Sequence, residues 1–295
     1  MTPRGGFDVR PFPTVGAEVV GVDLRALDQD CMAELLEAWW RYAVLVFPGP
    51  HLGEDAQVAF SQRLGRLERY LNRGRQAGDR DVQRIGKLSN VGRDGRPVPE
   101  SSDLHLFLKG NQDWHSDSSF KAVPAKASML SAWVVPSRGG ETEWADMRDA
   151  YDALAPEARA FWAEKVAVHS YWYSQSKVGG TATLSAEQWA ALAPVEHPVV
   201  GLNPDSGRRS LFIGRHASHL RGLDEEQGRR LLGELCRWAV HPCRVHTHRW
   251  QVGDVVLWDN RSVLHRGRPW PAGEARVMKR TTVAGDGDNE WALDD

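Results

Sequence analysis

Residues 254–265 decide the fold, and they read Asp-Val-Val-Leu-Trp-Asp-Asn-Arg-Ser-Val-Leu-His. The first six residues form a short apolar run bounded by aspartates, a pattern typical of a buried β-strand. The polar residues that follow indicate a turn. His265 then stands in an apolar context, directly after Val263 and Leu264. The stretch therefore predicts a strand and a turn that lead to a histidine in apolar surroundings.

Segments with strand-like and helix-like patterns flank this stretch. Strand patterns cover 16–24, 43–47, 243–250, 254–259 and 276–284. A first helical pattern begins after an N-cap at Asp28 or Asp30. Further helical patterns cover 54–64, 147–165, 185–193 and 224–240. Strands at both ends of the chain with helices between them favour an α+β protein built on an antiparallel sheet. We therefore expect residues 1–295 to form a single domain.

The segment 66–113 differs in character from the rest of the chain. It is rich in Arg, Gly, Asp, Asn and Ser and shows little periodicity, apart from a strand-like run at 82–88. Long irregular segments inside compact domains often serve as lids or binding loops. We expect 66–113 to form a lid or substrate loop.

Composition argues against several classes of partner. Lys plus Arg is 37 and Asp plus Glu is 39, so the net charge of −2 gives no electrostatic reason to expect nucleic acid. The longest apolar run, 43–47, is far shorter than the roughly 20 residues of a membrane span. The first six residues lack the apolar core of a signal peptide. Three cysteines offer no pairing framework. We expect a cytoplasmic protein without a membrane or nucleic-acid partner.

A candidate metal site combines the motif at 113–117, Asp-Trp-His-Ser-Asp, with His265. On a strand, His115 and Asp117 point to the same face and can chelate one ion. The motif alone is weak, since about one His-x-Asp is expected by chance and a surface or hydrogen-bonded histidine is the more common explanation. Two histidines and one carboxylate form the facial triad of non-haem Fe(II) oxygenases. The same residues could hold a tetrahedral zinc with one water position for hydrolysis.

The arginines of the last strand bear on the choice between iron and zinc. Arg276 and Arg280 lie on a segment predicted to be a core strand, where an arginine needs an anion as its partner. A dicarboxylate cosubstrate that chelates the metal at one end would supply that anion at the other. The alternative for either arginine is a solvated face of the strand.

Several motifs distributed over most of the chain are shared with one enzyme family. They are Gly16-Ala17-Glu18, Gly21-Val22-Asp23-Leu24, Phe47-Pro48-Gly49, Phe60-Ser61-Gln62-Arg63-Leu64-Gly65, Trp114-His115-Ser116-Asp117, Gly139-Gly140-Glu141-Thr142, Ser174-Gln175-Ser176-Lys177, Trp258-Asp259-Asn260-Arg261, His265 and Arg276. With these motifs the sequence resembles the Fe(II)/2-oxoglutarate dioxygenases of the taurine and 2,4-dichlorophenoxyacetate dioxygenase family. Within that family it is most similar to the aryloxyalkanoate (phenoxypropionate) branch.

The resemblance implies a fold, a cofactor and a set of roles. The fold would be a double-stranded β-helix, a cupin-like jelly roll, with flanking helices. His115, Asp117 and His265 would bind Fe(II), and O2 and 2-oxoglutarate would be cosubstrates. Arg276 would hold the distal carboxylate of 2-oxoglutarate, and Thr142 would hydrogen-bond to the same molecule.

The resemblance also implies a small anionic substrate. Tyr70, Arg73, Asn111 and Arg280 fall at or near substrate positions of the family, although each also fits an ordinary loop, turn or strand face. The predicted reaction is hydroxylation, with oxidative ether cleavage if the substrate is an aryloxyalkanoate, and with release of succinate and CO2. Related halogenases lack the carboxylate that Asp117 supplies here, so halogenation is disfavoured.

Other functions stay open at this point. The same chemistry could act on an amino-acid-derived or natural-product intermediate, or on an alkylsulfonate. A zinc-dependent hydrolase is a more remote alternative, because hydrolysis needs no dicarboxylate clamp such as Arg276 and Thr142. An inactive ligand-binding jelly roll is disfavoured by the complete triad. The sequence is also compatible with the formation of a homo-oligomer.

Overall fold

A computed structural model describes residues 6–69, 84–92, 94–100, 102–179, 185–190 and 192–287. The strands in these ranges are β1 (Asp8–Pro11), β2 (Ala17–Val20), β3 (Val44–Phe47), β4 (Gly86–Ser89), β5 (Ala125–Val134), β6 (Thr142–Asp146), β7 (Val166–His169), β8 (Val195–Pro198), β9 (Val200–Leu202), β10 (Arg209–Leu211), β11 (Ala217–Leu220), β12 (Val245–His248), β13 (Val255–Asp259), β14 (Val263–Gly267) and β15 (Val277–Ala284). The helices are α1 (Gln29–Tyr42), α2 (Glu54–Gln62), α3 (Asp103–Gly110), α4 (Met147–Asp152), α5 (Pro156–Ala163), α6 (Tyr171–Ser176), α7 (Ala186–Ala190) and α8 (Glu225–Ala239).

The strands form one large sheet and three small ones. The large sheet has seven strands in the order β1-β2-β3-β13-β5-β15-β4, and a three-stranded sheet has the order β12-β6-β14. The other two sheets are β11-β7-β8 and β10-β9. Among these strands only β2 and β3 pair in parallel. The expected α+β class with a mainly antiparallel core is thus confirmed, with helices and sheets mixed along the chain.

Residues 255–258 of β13 are all apolar because both faces of the strand are covered. Val255 and Leu257 join a core cluster that contains Trp39 of α1 and Phe60 of α2. The alternate residues, Val256 and Trp258, join a second cluster with residues of β6 and β14, which include Trp144 and Val263. The sequence 254–265 therefore places one strand in the centre of the large sheet and the next, β14, in the sheet that faces it.

The predicted strands and helices are mostly confirmed, with small shifts at their ends. Asp28 caps α1, since its side chain accepts a hydrogen bond from the backbone N–H of Cys31. The helix predicted over 147–165 is wrong as a single element. It is divided into α4 and α5, and Pro156 begins the second helix, because proline lacks the N–H that a continuous helix needs. The strand predicted over 16–24 ends at Val20, before Gly21 with φ of 88°.

The described part of 66–113 contains regular structure that the sequence only partly indicated. Strand β4 pairs with β15 at one edge of the large sheet, and α3 ends directly before Asn111. The interpretation of this segment as a substrate loop stays a prediction. Over the described ranges, no helix combines the length and apolar character that crossing a membrane requires.

His169 gives the fold a pH dependence that does not involve the candidate metal site. It is fully buried on β7, where its ring stacks on Phe212 and meets His197 edge to face. Among the described residues, neither ring nitrogen has a hydrogen-bond partner of good geometry. Burial, aided by the neighbouring His197, lowers the pKa of His169 well below its ordinary value. The folded state therefore holds this imidazole neutral.

We expect His169→Phe to reduce the loss of stability in acid. Because the folded pKa lies below the unfolded one, only the unfolded chain binds this proton below about pH 6.5, so the folded protein loses roughly 1 kcal/mol per pH unit there. Phenylalanine keeps the ring and removes the titration. Urea unfolding at pH 7 and pH 5 would measure the effect, with His219→Phe on half-buried His219 as the control. An equal pH dependence in wild type and His169→Phe would contradict the prediction.

Candidate metal centre

Three side chains from distant parts of the chain meet between the two facing sheets. His115 lies beside β14, where its backbone N–H donates to His265 O at 3.0 Å and its carbonyl oxygen accepts from His265 N–H at 2.8 Å. Asp117 follows two residues later. The strand expected at 115–117 is replaced by a single β-bridge between His115 and His265. The possible ligand atoms of His115, Asp117 and His265 all lie within 4.8 Å of one another, and all three residues are buried. The predicted triad is therefore assembled in the folded chain.

The protonation states of the three residues suit metal coordination. Burial lowers the pKa of His115 to about 4 and the pKa of His265 well below its ordinary value, so both imidazoles are neutral at pH 7. Burial alone would raise the pKa of Asp117, but Arg280 and the two histidines lower it overall. Metal ions bind neutral imidazole and ionised carboxylate, so no proton has to leave before an ion binds at neutral pH.

Hydrogen bonds orient the first histidine for this role. His115 Nδ1 lies 2.7 Å from the carbonyl oxygen of Asp113, which assigns the ring proton to Nδ1. The lone pair of Nε2 is then free, and this atom is 3.9 Å from Asp117 Oδ1. His265 Nε2 is 3.8 Å from Asp117 Oδ2. Two imidazole nitrogens and one carboxylate oxygen fit the ligand set of Fe(II) oxygenases, and by themselves they also fit zinc.

A buried arginine next to the triad separates these alternatives. Arg276 and Thr142 line a cavity of about 540 Å³ together with His115 and His265. Arg276 is 6% exposed, and its Nε donates to Gly140 O at 3.2 Å. Within the described ranges its guanidinium forms an ion pair with no carboxylate. Burial lowers the pKa of Arg276 to about 10, against the opposing effect of Glu141, so the group remains charged at neutral pH. A buried cation of this kind requires an anion, and a dicarboxylate ligand provides one.

Thr142 lines the same cavity, and its hydroxyl accepts a hydrogen bond from a buried tryptophan. The indole Nε1–H of Trp250 donates to Thr142 Oγ1 at 2.9 Å. A hydroxyl has one hydrogen to donate and two lone pairs that accept. Because the indole occupies one lone pair, the hydroxyl hydrogen of Thr142 stays available for an acceptor in the cavity.

The predicted substrate residues divide into two groups. Asn111 and Arg280 line the same cavity as the triad. Arg280 also donates from Nη1 to Asp117 Oδ1 at 2.8 Å, a contact that the sequence did not indicate. Tyr70 and Arg73 lie outside the described residues. Their substrate roles, like those of Asn111 and Arg280, stay predictions.

The walls of the cavity are mainly apolar. Its apolar lining consists of Leu88, Leu108, Leu130, Trp258 and Trp270, and Gln112 and Gly267 also line it. Arg276 lies over the ring of Trp270, with 5.2 Å from its Cζ to the ring centroid. The cavity therefore presents two arginines and a metal site within apolar surroundings, which suits an organic acid with an apolar body.

Two buried residues near His115, Arg215 and His216, were not predicted from the sequence to belong to the site. Arg215 is buried, its Nη2 donates to Ser174 O at 3.0 Å, and Gly110 of α3 lies against its guanidinium. Burial lowers the pKa of Arg215. His216 meets the ring of His115 edge to face at 6.4 Å. The signal that could have found them is an Arg-His pair that follows the apolar run Leu211 to Ile213 after one glycine.

His246 and His248 also have chelating spacing, but each has another partner. His246 stacks on Phe12, with ring centroids 3.9 Å apart. His248 Nε2 lies 3.0 Å from Asp254 Oδ2. Within the described part of the chain, the triad is the cluster with three possible metal ligands.

Comparisons with known proteins agree with this geometry. Residues 8–282 match the model of the family described as taurine catabolism dioxygenase TauD, TfdA family. The chain is 41% identical to the (S)-phenoxypropionate/alpha-ketoglutarate-dioxygenase of Sphingobium herbicidovorans, over 97% of this chain and 98% of that protein. It is also 41% identical to the alpha-ketoglutarate-dependent 2,4-dichlorophenoxyacetate dioxygenase of Cupriavidus pinatubonensis, over 93% and 96% of the two chains. The crystal structure of AAD-2 with Mn(II) and N-oxalylglycine superimposes with a TM-score of 0.87 at 37% identity, covering 98% of this chain and 99% of that one.

Proposed function

The chain belongs to the TauD/TfdA dioxygenase family, and from this premise we propose that it hydroxylates an aryloxyalkanoate and thereby cleaves the ether bond. It is an Fe(II)- and 2-oxoglutarate-dependent dioxygenase that acts on a small organic substrate. The proposal concerns the substrate and the roles of individual residues. Relatives that act by name on phenoxypropionate and dichlorophenoxyacetate support it.

The residues of the cavity have distinct roles in this proposal. His115, Asp117 and His265 hold the iron, Arg276 pairs with the distal carboxylate of 2-oxoglutarate, and Thr142 donates its hydroxyl hydrogen to the same molecule. The bound iron and cosubstrate supply the oxidation: one oxygen atom of O2 enters a substrate C–H bond, and the other enters succinate as 2-oxoglutarate loses CO2. The chain positions both organic acids and limits the access of water.

The single observation that carries the reaction class is the uncompensated charge of Arg276 beside the triad. A zinc hydrolase would need a water position but no cationic clamp in the cavity that the two histidines of the triad line. A guanidinium that is buried and charged, and that lacks a carboxylate partner in the described protein, is explained by a cosubstrate with two carboxylates.

The substrate class follows from the rest of the lining. Arg280 and Asn111 offer polar contacts for a carboxylate, and the leucine and tryptophan side chains offer an apolar wall for an aryl group. Hydroxylation of the carbon that bears the ether oxygen gives a hemiacetal-type product. That product collapses to a phenol and a carbonyl compound, so phenoxypropionate would give phenol and pyruvate.

The finer structural expectations belong to the same proposal. We infer that the two facing sheets form the double-stranded β-helix of a cupin-like jelly roll, in a single domain of 295 residues. The segment 66–113 would act as the substrate loop, because α3 and Asn111 within it reach the cavity. A cytoplasmic location stays a prediction from the sequence.

We expect aryloxy acids to stimulate succinate formation, with phenol and succinate in equal amounts. The assay would use Fe(II), 2-oxoglutarate and O2 with phenoxyacetate, both phenoxypropionate enantiomers, alkylsulfonates and amino acids. Zn(II) in place of Fe(II) is the control and should support no turnover. Stimulation only by alkylsulfonates or amino acids would reject aryloxyalkanoates as the substrate class but would support the dioxygenase reaction. Hydrolytic turnover with Zn(II) and no use of 2-oxoglutarate would reject the reaction class.

A further inference from the structure

We propose that Ser128 and Asn260 are positioning residues that hold the Asp117 carboxylate in the orientation a metal ion requires. They do so through a closed ring of hydrogen bonds that includes both the backbone and the side chain of Asp117. The inference rests on the proposed function, since it takes Asp117 as a metal ligand. It adds two residues to which the family motifs and the cavity lining assign no role.

The ring consists of three hydrogen bonds. The backbone N–H of Asp117 donates to Asn260 Oδ1 at 3.2 Å, Asn260 Nδ2 donates to Ser128 Oγ at 3.0 Å, and Ser128 Oγ donates to Asp117 Oδ2 at 2.7 Å. All three residues are buried. Each hydrogen bond is therefore shielded from competing water, and both ends of Asp117 are held by the same pair of side chains.

The direction of every hydrogen bond in the ring follows from its donors and acceptors. Ser128 donates its single hydroxyl hydrogen to the carboxylate of Asp117. The Ser128 oxygen then accepts from the amide nitrogen of Asn260. The remaining Asn260 oxygen accepts from Asp117 N–H and from Trp258 Nε1–H, which lies 2.9 Å away. A flipped amide would set its nitrogen against these two donors, so only one orientation satisfies all members.

The sheet keeps the members of the ring in place. Ser128 on β5 is the register partner of Trp258 on β13, and Asn260 follows the end of β13. A further bond ties the ligand segment to this strand end, since Ser116 Oγ donates to Asn260 O at 2.8 Å. Two adjacent central strands thus fix Ser128 and Asn260 relative to each other before any metal binds.

The second carboxylate oxygen has a partner of its own. Arg280 Nη1 lies 2.8 Å from Asp117 Oδ1, so each carboxylate oxygen has its own hydrogen-bond partner. A carboxylate that is already oriented loses little conformational freedom when it binds an ion. Loss of such an orienting partner typically weakens metal affinity by about 10- to 100-fold.

The test compares two buried serines on the same strand. Ser128→Ala opens the ring, and Ser131→Ala is the matched control, because Ser131 Oγ donates to Gln57 Oε1 at 2.7 Å, away from the triad. Each substitution removes a buried hydroxyl that donates one hydrogen bond and accepts another, from Asn260 Nδ2 at Ser128 and from Trp133 Nε1 at Ser131, so both should lower the free energy of unfolding of the metal-free protein similarly. Mn(II) dissociation constants would be measured by electron paramagnetic resonance on metal-free protein without O2.

We expect Ser128→Ala to bind Mn(II) about 10- to 100-fold more weakly than wild type, and Ser131→Ala to stay within about 3-fold. Ser128→Cys, whose thiol is a weak donor of similar size, should give an intermediate affinity. Equal affinities of Ser128→Ala and wild type would overturn the inference, and so would equal weakening in both alanine variants. A wild-type protein that binds no Mn(II) would instead reject Asp117 as a metal ligand, and the inference with it.

Discussion

Asp117→Ala is expected to abolish metal binding and 2-oxoglutarate turnover together, with metal affinity reduced by more than about 100-fold, beyond the effect of losing an orienting partner. The substitution removes the one anionic ligand and leaves two neutral imidazoles, which bind a divalent ion poorly by themselves. Mn(II) affinity and succinate formation with Fe(II) would measure the two losses. Asp23→Ala, at an exposed carboxylate, is the control.

A second variant, Asp117→Asn, distinguishes the loss of a metal ligand from a failure to fold. Alanine at this position leaves the guanidinium of Arg280 without the carboxylate that lies 2.8 Å away, which lowers stability. Asp117→Asn keeps the shape of the side chain and an oxygen that can accept from Ser128. We expect this variant to fold, to lose metal affinity and to lose turnover. Succinate formation at the wild-type rate in either variant would refute the assignment of Asp117.

Arg276→Gln is expected to raise the KM for 2-oxoglutarate by at least about 30-fold while leaving Mn(II) affinity within about 3-fold of wild type. Truncating one partner of a buried, hydrogen-bonded charge pair costs about 2–5 kcal/mol, which corresponds to this range. Glutamine keeps a polar group near Gly140 O but cannot neutralise a carboxylate. Steady-state kinetics and calorimetric titration of 2-oxoglutarate into the Mn(II) protein would measure the effect.

A nearby arginine provides the control for this experiment. Arg268 is about half exposed and lies 3.9 Å from Glu143, outside the cavity lining. Arg268→Gln should leave the KM for 2-oxoglutarate unchanged. If Arg276→Gln weakened Mn(II) and 2-oxoglutarate binding equally, the charge of Arg276 would act on the whole site, and its role as a dicarboxylate clamp would be rejected.

The candidate site was predictable where chemistry and local pattern coincide. His115 and Asp117 have chelating spacing, His265 stands in an apolar context, and the folded chain brings their ligand atoms together. Arg276 could be recognised because a charge on a buried strand demands a partner, and its burial is confirmed. The role of Thr142 came only from the family resemblance, because a lone threonine carries no signal of its own.

Other features of the site could not be predicted because they depend on contacts between distant segments. The ion pair between Arg280 and Asp117 joins the last strand to the ligand motif. Arg215 reaches Ser174 from the turn between β10 and β11, and Gly110 of α3 lies against its guanidinium. The break between α4 and α5, in contrast, had a local signal, because Pro156 interrupts the helical pattern predicted over 147–165.

The sequence by itself determined which groups could bind a metal and a dicarboxylate, and which segments could become strands, since both depend on residue type and short-range pattern. Only the tertiary structure decided that Ser128 and Asn260 enclose Asp117. That arrangement depends on the register in which β5 pairs with β13, where Ser128 stands opposite Trp258. A shift of one residue would turn every side chain of a strand to the other face, and register is set by the packing of the whole core rather than by any local stretch.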